Sequence, residues 1–305
     1  MPIIKQNDIL PERPIVLVIY GVPGSWKTSV ATTANNPILI DTDRGFDRAI
    51  RRVDTVRANT WEDILNDEPS FDAYETIIID TAKATLDDYL VDYVCRFNYK
   101  LKNNSLKRFG EIADQFKAFV NRMRAKNKDI IFICHDREDK EGDIIKHSPD
   151  CTGQSKDLLI RIADQVGYVG IQNKQHVITF EPLDNFVGKN VAQLDTVVIP
   201  NAPSKEFDTC MADIIKTIKS AIQSKSEAQR KAQEQLADLR TKSSEVKTLE
   251  DIDETLKLAK DLPKIMRIPF FNELKETLAG KGFLYDDKAK IFVKNEQANS
   301  PGNDA

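Results

Sequence analysis

Eight consecutive residues, Gly21-Val22-Pro23-Gly24-Ser25-Trp26-Lys27-Thr28, set two glycines, a lysine and a hydroxyl at a spacing that suits a triphosphate. Successive backbone N–H groups in such a turn can wrap phosphates, and the N-terminus of a following helix adds its positive dipole end. Lys27 is spaced to reach the β- and γ-phosphates, and the Thr28 hydroxyl to sit on Mg²⁺. Contacts to ATP are therefore expected from Gly21, Val22, Pro23, Gly24, Ser25, Trp26, Lys27, Thr28 and Ser29. The phosphate-binding pattern G-x-x-x-x-G-K-[ST] is met at every fixed position except Trp26, where glycine is expected. Glycine there lets backbone pass close to phosphate, and a side chain costs conformational freedom. The indole could point away or stack beside the site and leave the loop working. It could equally mark weak binding or lost hydrolysis. Retained binding is the expectation.

Three further residues have types suited to the same chemistry. Ile77-Ile78-Ile79-Asp80 is an aliphatic run that delivers one carboxylate, as a strand supporting magnesium should. Asp43, in Asp41-Thr42-Asp43-Arg44-Gly45, could orient the water that attacks the γ-phosphate, although Asp and Gly populate such turns for local reasons too. His135 ends another apolar run, where a polar side chain could touch the γ-phosphate or serve only as a hydrogen-bonded rim residue.

Positioning these residues calls for a set of strands. Ile15–Tyr20, Pro37–Asp41, Tyr74–Asp80 and Asp129–His135 are apolar runs that each end on a polar residue, as in a parallel sheet whose strand C-termini line a ligand crevice. A helix is expected over 28–34, stopped by Asn35-Asn36-Pro37. Val166–Ile171 and Val177–Phe180 read as paired strands. The fold class is α/β, with a mainly parallel central sheet flanked by helices. The texture changes near residue 208. Met211–Ser220 looks helical, 224–247 is polar and charge-rich, and Val246 to Ala259 is amphipathic. A helix over Phe270–Leu278 and a small hairpin over Phe283–Val293 follow. The expected domains are 1–207, a nucleotide-binding domain; 208–293, a mostly helical appendage; and 294–305, a disordered tail.

Bulk properties narrow the setting. The 305 residues carry a net charge of −4, so any nucleic-acid surface must be local. The four cysteines, Cys95, Cys134, Cys151 and Cys210, have neither metal-ligand nor disulfide-framework spacing. No apolar run reaches the ~20 residues that span a bilayer, and Met1 precedes no signal-peptide core. A cytoplasmic protein without a membrane partner is expected.

The P-loop with Asp80, Asp43 and His135 resembles the RecA-like ATPase fold. In that family a strand ending I-D-x-E supplies a catalytic carboxylate; Ile40-Asp41-Thr42-Asp43 is similar, with Asp43 in place of Glu. A later strand ends in a γ-phosphate sensor followed by a mobile DNA-binding loop, which the resemblance assigns to His135 and to 137–153. A finer resemblance is to phage-encoded AAA-type nucleotide-binding proteins, among them single-strand annealing recombinases. It rests on the Asp-Thr-Asp-x-Gly turn, on Gly153-Gln154-Ser155 leading to Ile162-Ala163-Asp164-Gln165-Val166, and on Phe186-Val187-Gly188-Lys189-Asn190. The resemblance covers about residues 12–205. It implies an ATP- and Mg²⁺-dependent ATPase in DNA recombination or replication, single-stranded DNA as partner, and a possible homo-oligomer. Such oligomers often complete a site with a cation from the next subunit, for which Lys189 is preferred over Lys174 and Lys205.

Residues 96–128 hold ten Lys or Arg against Glu111 and Asp114, with Phe97, Tyr99, Phe109, Phe116 and Phe119 interleaved. Basic groups neutralise phosphates and aromatics stack bases. Phe109, Phe116 and Phe119 also have helical spacing, which points to a core role for most of them. Arg137, Lys140 and Lys146 form a second basic candidate. Two other functions fit a P-loop: a nucleotide-binding module with little hydrolysis, and a nucleotide or small-molecule kinase whose lid would use Arg44, Arg48, Arg51 and Arg52.

Overall fold

The computed structural model describes residues 12–141 and 144–295; the expected tail lies almost wholly outside them. The strands are β1 (Val16–Gly21), β2 (Pro37–Asp41), β3 (Asp54–Arg57), β4 (Thr76–Asp80), β5 (Asp129–Glu141), β6 (Ile144–Pro149), β7 (Gln165–Gln172), β8 (Gln175–Thr179), β9 (Lys189–Asn190), β10 (Val197–Val198), β11 (Phe283–Asp286) and β12 (Ile291–Lys294). The helices are α1 (Lys27–Ala31), α2 (Trp61–Asp67), α3 (Leu90–Phe97), α4 (Ser105–Ala125), α5 (Gly153–Ile162), α6 (Lys205–Asp208), α7 (Cys210–Glu245), α8 (Leu249–Ala259) and α9 (Lys264–Ala279).

The main sheet runs β10-β8-β7-β1-β5-β4-β2-β3, with β6 paired to β5 and β9 to β7. From β7 to β3 every neighbouring pair on this path is parallel. Side chains alternate between two apolar layers, as a period of two requires when both faces are covered. Val16, Val18 and Tyr20 pack with Ile77, Phe116 and Phe132 on one face. Ile15, Leu17 and Ile19 pack with Ile78, Ile131 and Ile218 on the other. This is the mainly parallel α/β sheet flanked by helices that the sequence pattern predicts.

Register explains how distant residues meet. β5 lies between β1 and β4, with Gly21 opposite His135 and Asp80 opposite Ile133. β2 lies beyond β4, with Asp41 opposite Asp80. The C-terminal ends of β1, β4 and β2 thus form one row with His135, midway along β5.

Three local features differ from the sequence reading. The first helix ends at Ala31, with the Thr33 and Ala34 amides turning to the carbonyls of Val30 and Ala31. Residues 137–149 are mostly an antiparallel hairpin, Asp136 opposite Pro149 and Lys140 opposite Ile145, and 153 begins α5. The family resemblance implies a mobile loop here; ladder pairing between β5 and β6 instead orders most of the segment. The first compact unit runs from Glu12 to Ile222, beyond the expected 207. Met211, Ile214, Ile215 and Ile218 of α7 belong to the second apolar layer of the sheet, which holds that part of the helix to it.

The second unit, from residue 223 onward, has its own core of Leu239, Ile252, Phe270, Leu274, Phe283 and Phe292. Thr248 and Asp251 form a reciprocal capping box that starts α8. No helix among the described residues is long and apolar enough to cross a membrane.

Candidate functional site: a phosphate loop at the end of the sheet

Gly21 ends β1 where no side chain fits: a Cβ there would stand 2.2 Å from the Val169 carbonyl oxygen on β7. The chain then turns through Gly24, at φ +79°, and Trp26, at φ 72° and ψ 19°. Both lie in the left-handed region that glycine adopts without steric cost. The bend therefore keeps the shape that glycine at position 26 would give, although the residue is tryptophan. Its indole leaves the bend sideways and stacks on His176 of β8, centroids 4.1 Å apart and planes 15° apart. Phe207 meets the indole edge-on at 5.9 Å.

A cavity of about 230 Å³ opens beside this bend. Pro23, Gly24, Trp26, Lys27, Thr28 and Ser29 line it from the loop, and it is closed by Asp80 and His135 together with Asp43, Gly45 and Arg48 from the turn after β2. Gly21, Val22 and Ser25 stand behind the loop. Their carbonyls and hydroxyl hold the Lys27 ammonium at 2.9, 2.8 and 3.5 Å respectively. Ser29 also braces the site, its hydroxyl accepting the Ile50 amide at 3.1 Å.

Across the cavity, the Thr28 hydroxyl donates to Asp80 Oδ2 at 2.6 Å. The two oxygens converge as hard donors for a divalent cation such as Mg²⁺. Burial raises the Asp80 carboxyl above its usual range, and the Thr28 hydrogen bond and the nearby Lys27 charge partly oppose it. Burial likewise lowers Lys27, with the Asp80 and Asp136 carboxylates opposing the change. In a partly desolvated cleft a charged lysine attracts a phosphate more strongly than an exposed one does, and the nearby carboxylates help to keep Lys27 charged.

Asp43 is exposed on the rim, its Oδ2 3.4 Å from His135 Nε2. Asp41 instead builds the turn that carries Asp43, accepting the Gly45 amide at 3.0 Å. All the residues singled out in the sequence for catalysis or metal, Lys27, Thr28, Asp43, Asp80 and His135, line the one cavity.

Other candidates separate. Arg44 reaches Asn59 at 3.3 Å and Arg51 the Asp208 carbonyl at 3.1 Å, whereas Arg48 is on the cavity. Lys189 donates to the carbonyls of Ile160 and Ala163 at the end of α5, which accounts for its ammonium locally. Phe116 and Phe119 are core, as their helical spacing suggests, but Phe97 and Tyr99 are each 72% exposed.

Sequence reasoning missed two groups. His176 carries no motif, and only the return of β8 beside β7 brings it to Trp26. Asp136 and His147 are paired at 2.6 Å across the β5–β6 hairpin, one residue beyond His135. Their spacing in sequence gave no signal because the pairing depends on ladder register. The Val187 amide donates to the His147 carbonyl and Tyr20 donates to Val187, which ties the hairpin base to β1.

No curated protein matches this chain. A family described as an AAA domain matches residues 13–192, the span that contains the phosphate loop, Asp43, Asp80, His135 and the hairpin. That match takes in more than half of the 305 residues. The chain belongs to the AAA domain family of P-loop nucleotide-binding ATPases.

Proposed function

We propose that this protein is a RecA-like ATPase that uses ATP and Mg²⁺ to act on single-stranded DNA, in the recombination or replication of a phage or mobile element. The observation that carries the nucleotide part is the 2.6 Å Thr28–Asp80 contact facing Lys27, Asp43 and His135 around one hollow. Thr28 and Asp80 would hold the metal, which when bound neutralises phosphate charge. The amides of the loop and Lys27 bind and orient the phosphates, the ammonium exchanging carbonyl partners for phosphate oxygens. Asp43 orients the attacking water and takes its proton. His135, beside Asp43, senses the γ-phosphate. The hairpin begins one residue later, so a small shift of His135 is passed to it through continuous backbone.

The DNA part draws support from the corner between α3 and α4. Residues 96–110 contain five Lys or Arg and no Asp or Glu. Exposed Phe97 and Tyr99 stand among these cations, and Lys102 lies 4.7 Å over the Tyr99 ring. Asn98 and Asn104 cap the turn, and Arg108 donates to the carbonyls of Leu101 and Lys102. The aromatics are thus displayed on a pinned corner. That combination suits stacking of unpaired bases with charge neutralisation of their backbone. A homo-oligomer on the strand is proposed from the family resemblance.

Phosphate release from ATP, measured with and without single-stranded DNA, tests the proposal. Stimulated release in the absence of any small acceptor is expected. MgATP binding with no release under either condition would replace it with a nucleotide-binding module that does not turn over.

A further inference from the structure

Trp26 poses a problem that the nucleotide reading leaves open. A phosphate loop needs a left-handed residue just before its lysine, and a bulky side chain there is strained and close to the ligand. The indole also lines the cavity, so a rotation about its side-chain bonds would carry it toward the phosphates. Something must hold it aside. The parallel overlap with His176, at 4.1 Å and 15°, fixes the plane of the ring, and the edge contact of Phe207 fixes its far side. Phe207, within α6, is fully buried, so it cannot yield. His176 sits on β8, opposite Ile171 of β7, on a ladder that reaches β1 through β7.

We infer that His176 is a positioning residue of the phosphate loop: by stacking on Trp26 it keeps the indole out of the triphosphate hollow and holds position 26 left-handed without glycine. The inference rests on the loop being a nucleotide site, and it adds a determinant outside the motif. In this chain, the identity of residue 176 is coupled to that of residue 26. An aromatic or imidazole ring is required opposite tryptophan, and none is required opposite glycine.

The chain contains two tryptophans, and Trp61 is fully buried beside Phe119, so changes in indole emission at the site report Trp26. The experiment compares wild type, His176→Ala and His176→Phe, each also in a Trp26→Gly background. MgATP affinity and tryptophan emission are both read. His176→Ala is expected to weaken MgATP about five-fold, or ~1 kcal/mol at 1.4 kcal/mol per tenfold, and to shift Trp26 emission to the red. His176→Phe keeps a flat ring and should restore both. With Trp26→Gly present, His176→Ala should leave affinity unchanged. Unaltered affinity in His176→Ala overturns the inference, and so does an equal loss in the glycine background, which would mark general damage to β8. If wild type binds no MgATP, the nucleotide reading fails; the emission of His176→Ala still decides the packing claim, and an unshifted spectrum overturns it.

Discussion

Replacing Thr28 with valine keeps the shape of the side chain and removes one hydroxyl, which makes it a sharp probe of the site. That hydroxyl is the donor that Asp80 receives, at 2.6 Å, in a mostly enclosed position. A hydrogen bond to a charged group contributes about 1.5–3 kcal/mol, and leaving the acceptor unsatisfied costs a similar amount. Thr28→Val should therefore destabilise the ligand-free protein by about 1–3 kcal/mol at pH 7. The pH dependence has a definite sign. Burial already raises the Asp80 carboxyl, and loss of Thr28 removes an effect that lowers it. A carboxyl raised on folding binds more protons folded than unfolded, so its stabilising contribution is complete below the unfolded value, about 3.9, and is lost as pH rises through the folded value. The variant has the higher folded value and loses more. The gap between variant and wild type should be larger at pH 7 than at pH 4, which is closer to the unfolded value. Urea unfolding at the two pH values reads this directly. An equal gap at both, or no gap at pH 7, refutes the burial argument. The same variant should bind ATP more weakly than wild type when Mg²⁺ is present, and the difference should shrink in EDTA.

Asp43→Asn should lower ATP turnover by about 10²–10⁴-fold, the usual scale for losing a general base, while MgATP affinity stays within a few-fold. Parallel loss of affinity and turnover would make Asp43 a binding group instead. Phe97→Ala with Tyr99→Ala should weaken single-stranded DNA binding by at least tenfold, since each stacked base contributes about 1–3 kcal/mol, and should leave turnover without DNA unchanged. Unaltered DNA affinity in an anisotropy titration would remove the α3–α4 corner from the interface. Gly21→Ala should destabilise the fold by about 1–3 kcal/mol or more in thermal melting, because its Cβ meets the Val169 carbonyl at 2.2 Å. Gly24→Ala meets nothing within 4 Å and costs only its left-handed φ, about 1 kcal/mol. Equal melting temperatures for the two would contradict the close approach of β7 to the loop.

The site was legible where chemistry is local. Lys27 and Thr28 announce themselves because a phosphate loop is a contiguous segment, and Asp80 and His135 because each closes a run of buried aliphatics. Their convergence was not legible. It depends on β5 inserting between β1 and β4, a choice of neighbours that strand patterns do not encode. The same limit hid His176 and the Asp136–His147 pair, which meet partners through register. The loop that the resemblance implies at 137–153 is mostly ordered by pairing along the hairpin, and within 96–128 helical spacing identifies Phe116 and Phe119 as core but does not tell that Phe97 and Tyr99 face outward. The helical start of the C-terminal region reads correctly from residue 211, but the buried Met211, Ile214 and Ile218 show that its first turns belong to the nucleotide-binding unit.

Calorimetric titration of MgATP into wild type and Lys27→Ala tests the central claim most directly. The Lys27 ammonium donates to the Gly21 and Val22 carbonyls at 2.9 and 2.8 Å, within the loop proposed to bind phosphate. Two charge-assisted bonds contribute about 3 kcal/mol or more, so the variant should bind at least a hundredfold more weakly than wild type while melting as a folded protein. A folded Lys27→Ala protein that binds MgATP as tightly as wild type would contradict the account.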